Sequence, residues 1–370
     1  MAQSGRALVR SAARAAIPAH VLDLYADRDT SALARSVSRI GSIAAGFFAD
    51  RLLDRLHRIE ARQGIDGIVA GSGFEERIDL LDAMARVGPL RGNRPEVVRR
   101  AKDPASFFPL LASLGIPHPE TITGAPVERV FDGAGWLCKR IGGAGGAHVR
   151  PAEACCPPGR YLQRQVPGRS HSLVFLADGR RAAIVGYNEI RAQGGSGTAR
   201  FRYAGAVTVA EPPVAPAVED AVQALVPALG LVGLCGLDFM LDEDGRYSLL
   251  EVNPRPTGTF ELYDDLDDHG AGLFQLHLAA CQGRLPRTVR VLGAGVAAQE
   301  VLWASERFAI PGGLQWPDWA RDRPAAGTII QADEPICTLH ARAAERKAVD
   351  RLLSNRRAKL SAVLGWPRAA

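Results

Sequence analysis

Between Leu234 and Phe260 the chain reads LCGLDFMLDEDGRYSLLEVNPRPTGTF, two apolar runs parted by Asp242, Glu243, Asp244 and Gly245. Apolar runs on either side of a cluster of turn formers predict a β-hairpin, here one that ends in Glu251, Asn253 and Arg255. A four-residue loop between Leu241 and Arg246 pairs Asp238 with Leu249. Alternation then sets Asp238, Leu249, Glu251 and Asn253 on one face, with the two carboxylates on a diagonal roughly 7 to 8 Å long. Two carboxylates and an amide so placed can share a divalent cation, held by hard oxygen ligands beside nucleotide phosphates. A loop one residue longer turns Asp238 toward the face of Leu250 and removes the site. A solvated hairpin whose charges have no task fits the same residues equally well.

Of the 45 Lys and Arg residues only four are lysine: Lys102, Lys139, Lys347 and Lys359. Lysine offers a compact point charge to phosphate where arginine offers a fork, so in an arginine-rich chain the lysine positions carry information. Lys102 stands just ahead of a helix predicted within Lys102–Pro119, with Asp103 as N-cap and Pro104 at the first position. Lys139 lies on a short strand followed by Gly142, Gly143, Ala144, Gly145 and Gly146. Such a loop lets backbone amides approach phosphate oxygens closely. The lysine precedes the glycines and no G-K-[ST] follows, so the stretch is not a P-loop. Lys347 and Lys359 fall in a charged terminal helix.

Residues 1 to 95 alternate patterns: helix Gly5–Ala16, strand Ala19–Tyr25, helix Ala49–Arg62, strand Ile65–Ala70 and helix Glu75–Val87. They predict a small parallel α/β domain. Such a domain begins with a strand, and residues 1–4 are too few to make one, so either the sequence starts downstream of the true start or that strand is absent. The Gly71, Ser72, Gly73 turn is either an anion site or an ordinary tight connection. Strands are expected at Tyr161–Gly168, which suits a hinge reading a purine edge, and at Ser172–Leu176 and Phe201–Val209. A mobile loop is expected at Gln193–Thr198, and helices at Val214–Leu229 and Leu273–Cys281. Residues 284–370 are strand-rich up to Leu339 and close in a helix, Arg342–Leu364. Its apolar stripe packs on its own domain or serves a membrane surface or partner.

At 370 residues the chain can hold two or three domains, and 47% hydrophobic with 23% charged residues is ordinary globular composition. The net charge of +5 comes from basic residues spread along the chain, which leaves no nucleic-acid footprint. Cys138, Cys155, Cys156, Cys235, Cys281 and Cys337 lack zinc spacing and read as reduced thiols of a cytoplasmic protein. No apolar run reaches membrane-spanning length, and the start lacks a signal-peptide core. His148, His171 and His269 are acid-base candidates, outweighed by structural or surface roles.

Lys102 before a helix, Lys139 before a glycine hairpin, YLQRQV, LDF and then EVNPR form a series that resembles the ATP-grasp superfamily over about residues 96–282. The resemblance implies an ATP-grasp fold of mixed α/β and α+β class. Its domains would be 1–95 (small parallel α/β), 96–283 (ATP-grasp, with 124–168 as mobile lid) and 284–370 (strand-rich, ending in a helix). It implies that Lys102, Lys139 and the loop glycines Gly142, Gly143, Gly145 and Gly146 bind ATP phosphates. Gln163 would hold adenine by its side chain, Arg164 and Val166 by their backbones. Asp238, Glu251 and Asn253 would hold magnesium, or manganese in its place. Arg255 would face the reacting carboxylate, with Lys139 as the second catalytic cation, and Thr257, Gly258 and Thr259 would line the acceptor pocket. Two departures stand out: Arg164 occupies a hinge position that is often acidic or apolar, and Asp238 is shorter than the glutamate of many relatives.

The chemistry implied is activation of a carboxylate as an acyl phosphate and its capture by an amine, with small-molecule substrates and room for a homodimer. The stretch Trp319–Leu339 resembles predicted carboligases distantly related to biotin carboxylase, which extends the expectation to joining glutamate with tyrosine or tyramine in one-carbon cofactor biosynthesis. A carboxylase or kinase of the same fold, and a nucleotide-binding regulator without turnover, are the alternatives.

Overall fold

The computed structural model describes residues 1–124, 135–152, 156–194, 197–212, 214–264, 272–287, 289 and 295–365. Cys155, His269, parts of the expected lid (125–134 and 153–155) and the middle of the loop at 193–198 lie outside the described residues.

The frame is an eight-stranded antiparallel sheet, in spatial order Tyr247–Asn253, Val232–Leu241, Arg169–Asp178, Ala182–Ala192, Tyr203–Val209, Val296–Trp303, Pro335–Ala343 and Ala320–Arg321. Its central strands are apolar on both faces because both faces are covered. Phe175, Leu237, Phe239 and Leu249 pack against Val218, Val222 and Leu225 of helix Ala215–Leu229. Val174, Leu176 and Leu234 pack against Leu273 and Phe274 of helix Gly272–Ala280 and against Leu8 and Ala12 of helix Arg6–Arg14. Each such fully buried Leu or Phe is worth about 1.5–3 kcal/mol. The pairing of Gly205–Val207 with Ala298–Glu300 carries the sheet across the boundary drawn at residue 284. Helix Arg346–Leu364 lays Val349, Leu353 and Leu360 on those terminal strands, so most of its stripe is buried within the chain, with Val363 left exposed.

In the N-terminal unit, strands His20–Asp23 and Ser36–Arg39 pair in parallel. Residues 1–4 occupy the place left vacant in the sequence reading. The Met1 ammonium donates to the Val69 carbonyl (2.7 Å), the Gly71 amide to that of Met1 (2.7 Å), the Gln3 amide to that of Ser72 (2.8 Å) and the Leu24 amide to that of Gln3 (3.0 Å). The expected strand at Ile65–Ala70 is reduced to one bridge, Ile68 with Leu90. The helix expected from Glu75 begins at Ile78, because Glu75 turns inward and accepts the Gly73 amide at 2.7 Å.

Above the main sheet stands a four-stranded antiparallel sheet in the order Thr121–Ile122, Arg160–Arg164, Trp136–Arg140 and Arg150–Pro151. Helices Pro95–Lys102 and Pro104–Ser113 connect the N-terminal unit to it, and only the second was foreseen. Asp103 caps that second helix as expected, accepting the Ala105 amide at 3.1 Å.

Candidate functional site

The register of the hairpin differs from the parity expectation in two places that offset each other. Asp242 accepts the Asp244 and Arg246 amides (3.0 and 2.8 Å), closing a five-residue loop that pairs Leu241 with Tyr247 and Phe239 with Leu249. A bulge then inserts Leu250, so that Asp238 pairs with Glu251, not with Leu249. The carboxylates therefore stand directly opposite one another. Leu249 joins Phe239 in the core, while Leu250 and Glu251 both border the same cavity as Asp238.

Lys102, the last residue of its helix, reaches this face. Its Nζ donates to Glu251 Oε2 and to Asn253 Oδ1, both at 2.8 Å, and Asn253 Nδ2 donates to Asp238 Oδ2 at 3.0 Å. Burial, and after it the facing Glu251 carboxylate, push Asp238 well above the usual carboxylate range. At Glu251 burial is the largest influence and acts in the same upward direction, but the charge and hydrogen bond of Lys102, with the hydrogen bond to Asp238, together outweigh it and hold the group below its usual range. Two opposed carboxylates of which one is driven toward its neutral form are short of positive charge. The all-oxygen donor set of Asp238, Glu251 and Asn253 fits a hard divalent cation.

Lys139 descends from the upper sheet and donates to Gln163 Oε1 at 2.6 Å, while Gln163 Nε2 donates to Thr121 Oγ1 at 3.1 Å. Burial lowers the Lys139 ammonium from its usual range, against the pull of Glu251 and Asp238. The glycine turn is folded down on both sides. The Tyr203 amide donates to the Gly145 carbonyl at 2.9 Å, and a β-carbon on Gly142 would lie 2.6 Å from the Glu75 carbonyl oxygen. Between turn, hinge and hairpin lies a cavity of about 430 Å³. Phe107, Phe108, Leu137, Met240 and Leu250 give it apolar walls, and five cations, Lys102, Lys139, Arg140, Arg164 and Arg191, face two carboxylates, Asp238 and Glu251. Gly142, Gly143, Gly145, Gly146, Gln163, Arg164 and Val166 line it too, so the expected phosphate and hinge residues converge. The Arg164 amide, however, is spent on the Glu120 carbonyl (2.8 Å), and its guanidinium stacks 4.5 Å from the Trp136 ring; that backbone donor is not open to a ligand.

Residues 101–259 match the family model of the ATP-grasp domain. The chain carries an ATP-grasp domain. In sequence the chain is 26% identical over 226 residues to the carbamoyl phosphate synthase large chain of Mycobacterium tuberculosis, a match that spans 53% of this chain but only 19% of that protein's length. In structure it is similar to biotin carboxylase of Campylobacter jejuni in its complex with β,γ-ATP (TM-score 0.72, 16% identity, 95% of this chain and 87% of that one). It is similar also to the L-amino acid ligase of Bacillus licheniformis (TM-score 0.71, 13% identity, 96% and 95%).

Within the ATP-grasp domain Arg255 is placed differently from the expectation. It points to the N-terminal unit, where it is ion-paired with Glu75, and reaches Asn253 Oδ1 at 3.4 Å; it borders neither the cavity of Lys102 and Lys139 nor the one lined by Thr257. Burial is the largest influence and opposes the charge on Glu75, but the Arg255 guanidinium and, after it, the Lys102 ammonium together hold that carboxyl below its usual range. Thr257 and Gly258 border a second cavity of about 360 Å³, between the N-terminal unit and the terminal strands, whereas Thr259 turns inward and shares a hydrogen bond with Thr257 (2.9 Å). Among the described residues the two cavities share one wall residue, Tyr203. Glu75, Tyr203 and Thr121 were not foreseen. Each is defined by a partner far away in the chain, and no local pattern marks it.

No helix among the described residues is long and apolar enough to cross a membrane, and Cys138, Cys235, Cys281 and Cys337 are free thiols.

Proposed function

We propose that the protein is an ATP-dependent ligase that activates a carboxylate as an acyl phosphate and passes the acyl group to an amine, releasing ADP and phosphate. The observation that carries this reading is the convergence of two lysine ammonium groups, a glycine turn and the Asp238–Glu251 pair on one cavity, with a second cavity behind Tyr203. Lys102 and Lys139 offset the charge of a triphosphate, and the amides of the glycine turn add donors that require no side chain. Phe107, Phe108 and Leu250 offer flat apolar contact to a base. Asp238, Glu251 and Asn253 would hold magnesium or manganese, which supplies charge neutralisation at phosphate oxygens. The folded glycine turn keeps water from an acyl phosphate. Arg255, behind Asn253, orients that amide, and a direct contact with the reacting carboxylate calls for its release from Glu75.

The finer reading joins glutamate to tyrosine or tyramine in cytoplasmic cofactor biosynthesis and is supported by the resemblance at Trp319–Leu339. The test is ADP release with amino acids and aromatic amines, singly and in pairs, with the product weighed by mass spectrometry. Release that requires an acid and an amine together supports the ligase. Release with bicarbonate or with a hydroxyl compound alone makes it a carboxylase or a kinase, and binding without any release leaves the regulator.

A further inference from the structure

The cavity behind Tyr203 differs in charge from the nucleotide cavity. Its charged wall residues among those described are four acids, Asp27, Glu261, Asp322 and Glu334, against Arg6 and Arg39. Three of the acids have partners. Arg6 is ion-paired with both Glu261 and Asp322, and Glu334 Oε2 accepts the Gln331 amide at 2.9 Å.

Asp27 is the exception. It is 4% exposed, yet its carboxyl takes part in no hydrogen bond and no ion pair among the described residues. It occupies the residue before helix Arg28–Leu33, where an aspartate ordinarily accepts a first-turn amide, and here it does not. The preceding Ala26, also on the cavity wall, has φ 54°, a left-handed conformation that costs a residue with a β-carbon roughly 1–2 kcal/mol. Leaving a buried carboxyl unpaired costs more unless a proton or a cation joins it. Burial, then Asp322, push the group up to about 8, which agrees with a carboxylate lacking its counter-charge. The uncharged wall beside it includes Tyr25, Ile43, Val301, Trp303 and Ile329.

We propose that the second cavity binds a small organic substrate carrying a primary ammonium group on an apolar body, with Asp27 as the counter-ion. The inference deepens the ligase reading by naming the chemistry of one of its substrates, and it rests on that reading only for the word substrate. Separation by charge follows: the cation-rich chamber takes polyphosphate and the acidic one takes ammonium, with Tyr203 between them.

The test is equilibrium binding without turnover. Thermal shift and calorimetry are run with tyramine, L-tyrosine and putrescine and with their counterparts lacking the amine, 4-ethylphenol, 3-(4-hydroxyphenyl)propanoate and 1-butanol. At least one amine is expected to bind the wild-type protein, with its counterpart at least tenfold weaker. Asp27→Asn should weaken that amine at least tenfold, Asp27→Glu less, and both should keep ADP affinity within twofold, which shows that they fold. Absence of binding by all three amines, equal binding by the counterparts, or undiminished binding in Asp27→Asn overturns the proposal. Failure of ADP release in any substrate pair would strike the ligase reading alone and leave the binding result standing.

Discussion

Glu75 and Arg255, 180 residues apart, form a buried ion pair that fastens the N-terminal unit to the end of the hairpin. Removing one partner leaves the other charged and enclosed, at a cost of about 3–5 kcal/mol, whereas replacing both with apolar residues costs far less. Glu75→Ala is therefore expected to lower the urea midpoint strongly, and Glu75→Leu with Arg255→Leu to recover most of the loss. A wild-type midpoint in Glu75→Ala would contradict the pair.

Glu251→Gln keeps the shape of the hairpin and removes one of two facing carboxylates. ADP release should fall at least a hundredfold, with the affinity for metal-free ADP nearly unchanged. Turnover close to that of the wild type would sink the metal assignment.

Gln163 bridges Thr121 to Lys139, so the proposed nucleotide site predicts that its effect on binding is transmitted through that ammonium. Lys139→Ala should weaken an ATP analogue about tenfold, Gln163→Leu somewhat less, and the double variant no more than Lys139→Ala alone. Additive losses by calorimetry would give Gln163 a contact of its own.

A β-carbon on Gly146, at φ +75°, would lie 1.9 Å from the Phe201 carbonyl oxygen. Gly146→Ala should hold the glycine turn off the sheet, lowering kcat for ADP release at least tenfold with little change in the urea midpoint. Equal turnover would rule out closure of this turn as a requirement.

His277 accepts the Leu234 amide at Nδ1 (2.8 Å) and faces the Arg91 carbonyl at Nε2 (2.9 Å), which fixes a neutral ring with its proton on Nε2. Burial lowers it to about 4. A histidine held below its unfolded value of about 6.5 takes up its proton more readily when unfolded, so its contribution is present above that value and is lost as pH falls toward 4. Asp27, raised to about 8, and Asp238, also raised, act in the opposite sense, so the informative quantity is a difference between variants. Relative to wild type, His277→Gln should gain about 2 kcal/mol between pH 7.5 and 5. Parallel pH profiles would remove His277 as the cause.

Much of the nucleotide cavity was legible because its parts are local. Lys102 beside Asp103 and Pro104, Lys139 before four glycines, and the hairpin all declare themselves within a few residues. What escaped depends on pairing across distance. Parity cannot reveal a bulge at Leu250, since alternation is counted along one strand and a bulge is defined by two. The same limit hid Glu75 opposite Arg255, the Arg164 amide given to Glu120, and the junction of Gly205–Val207 with Ala298–Glu300. Residues 1–4 looked too few for a strand because four residues show no period, yet neighbours on both sides supply their hydrogen bonds.

That Tyr203 alone among the described residues is common to both chambers has a bearing on how such a protein can diverge. Ile43, Val301 and Ile329 are not among the described wall residues of the proposed nucleotide chamber, so on the proposed reading a lineage can exchange one substrate for another while its energy-supplying half stays as it is. Redesign of the chain can follow the same partition, with Tyr203 as the position where the two tasks compete for one side chain.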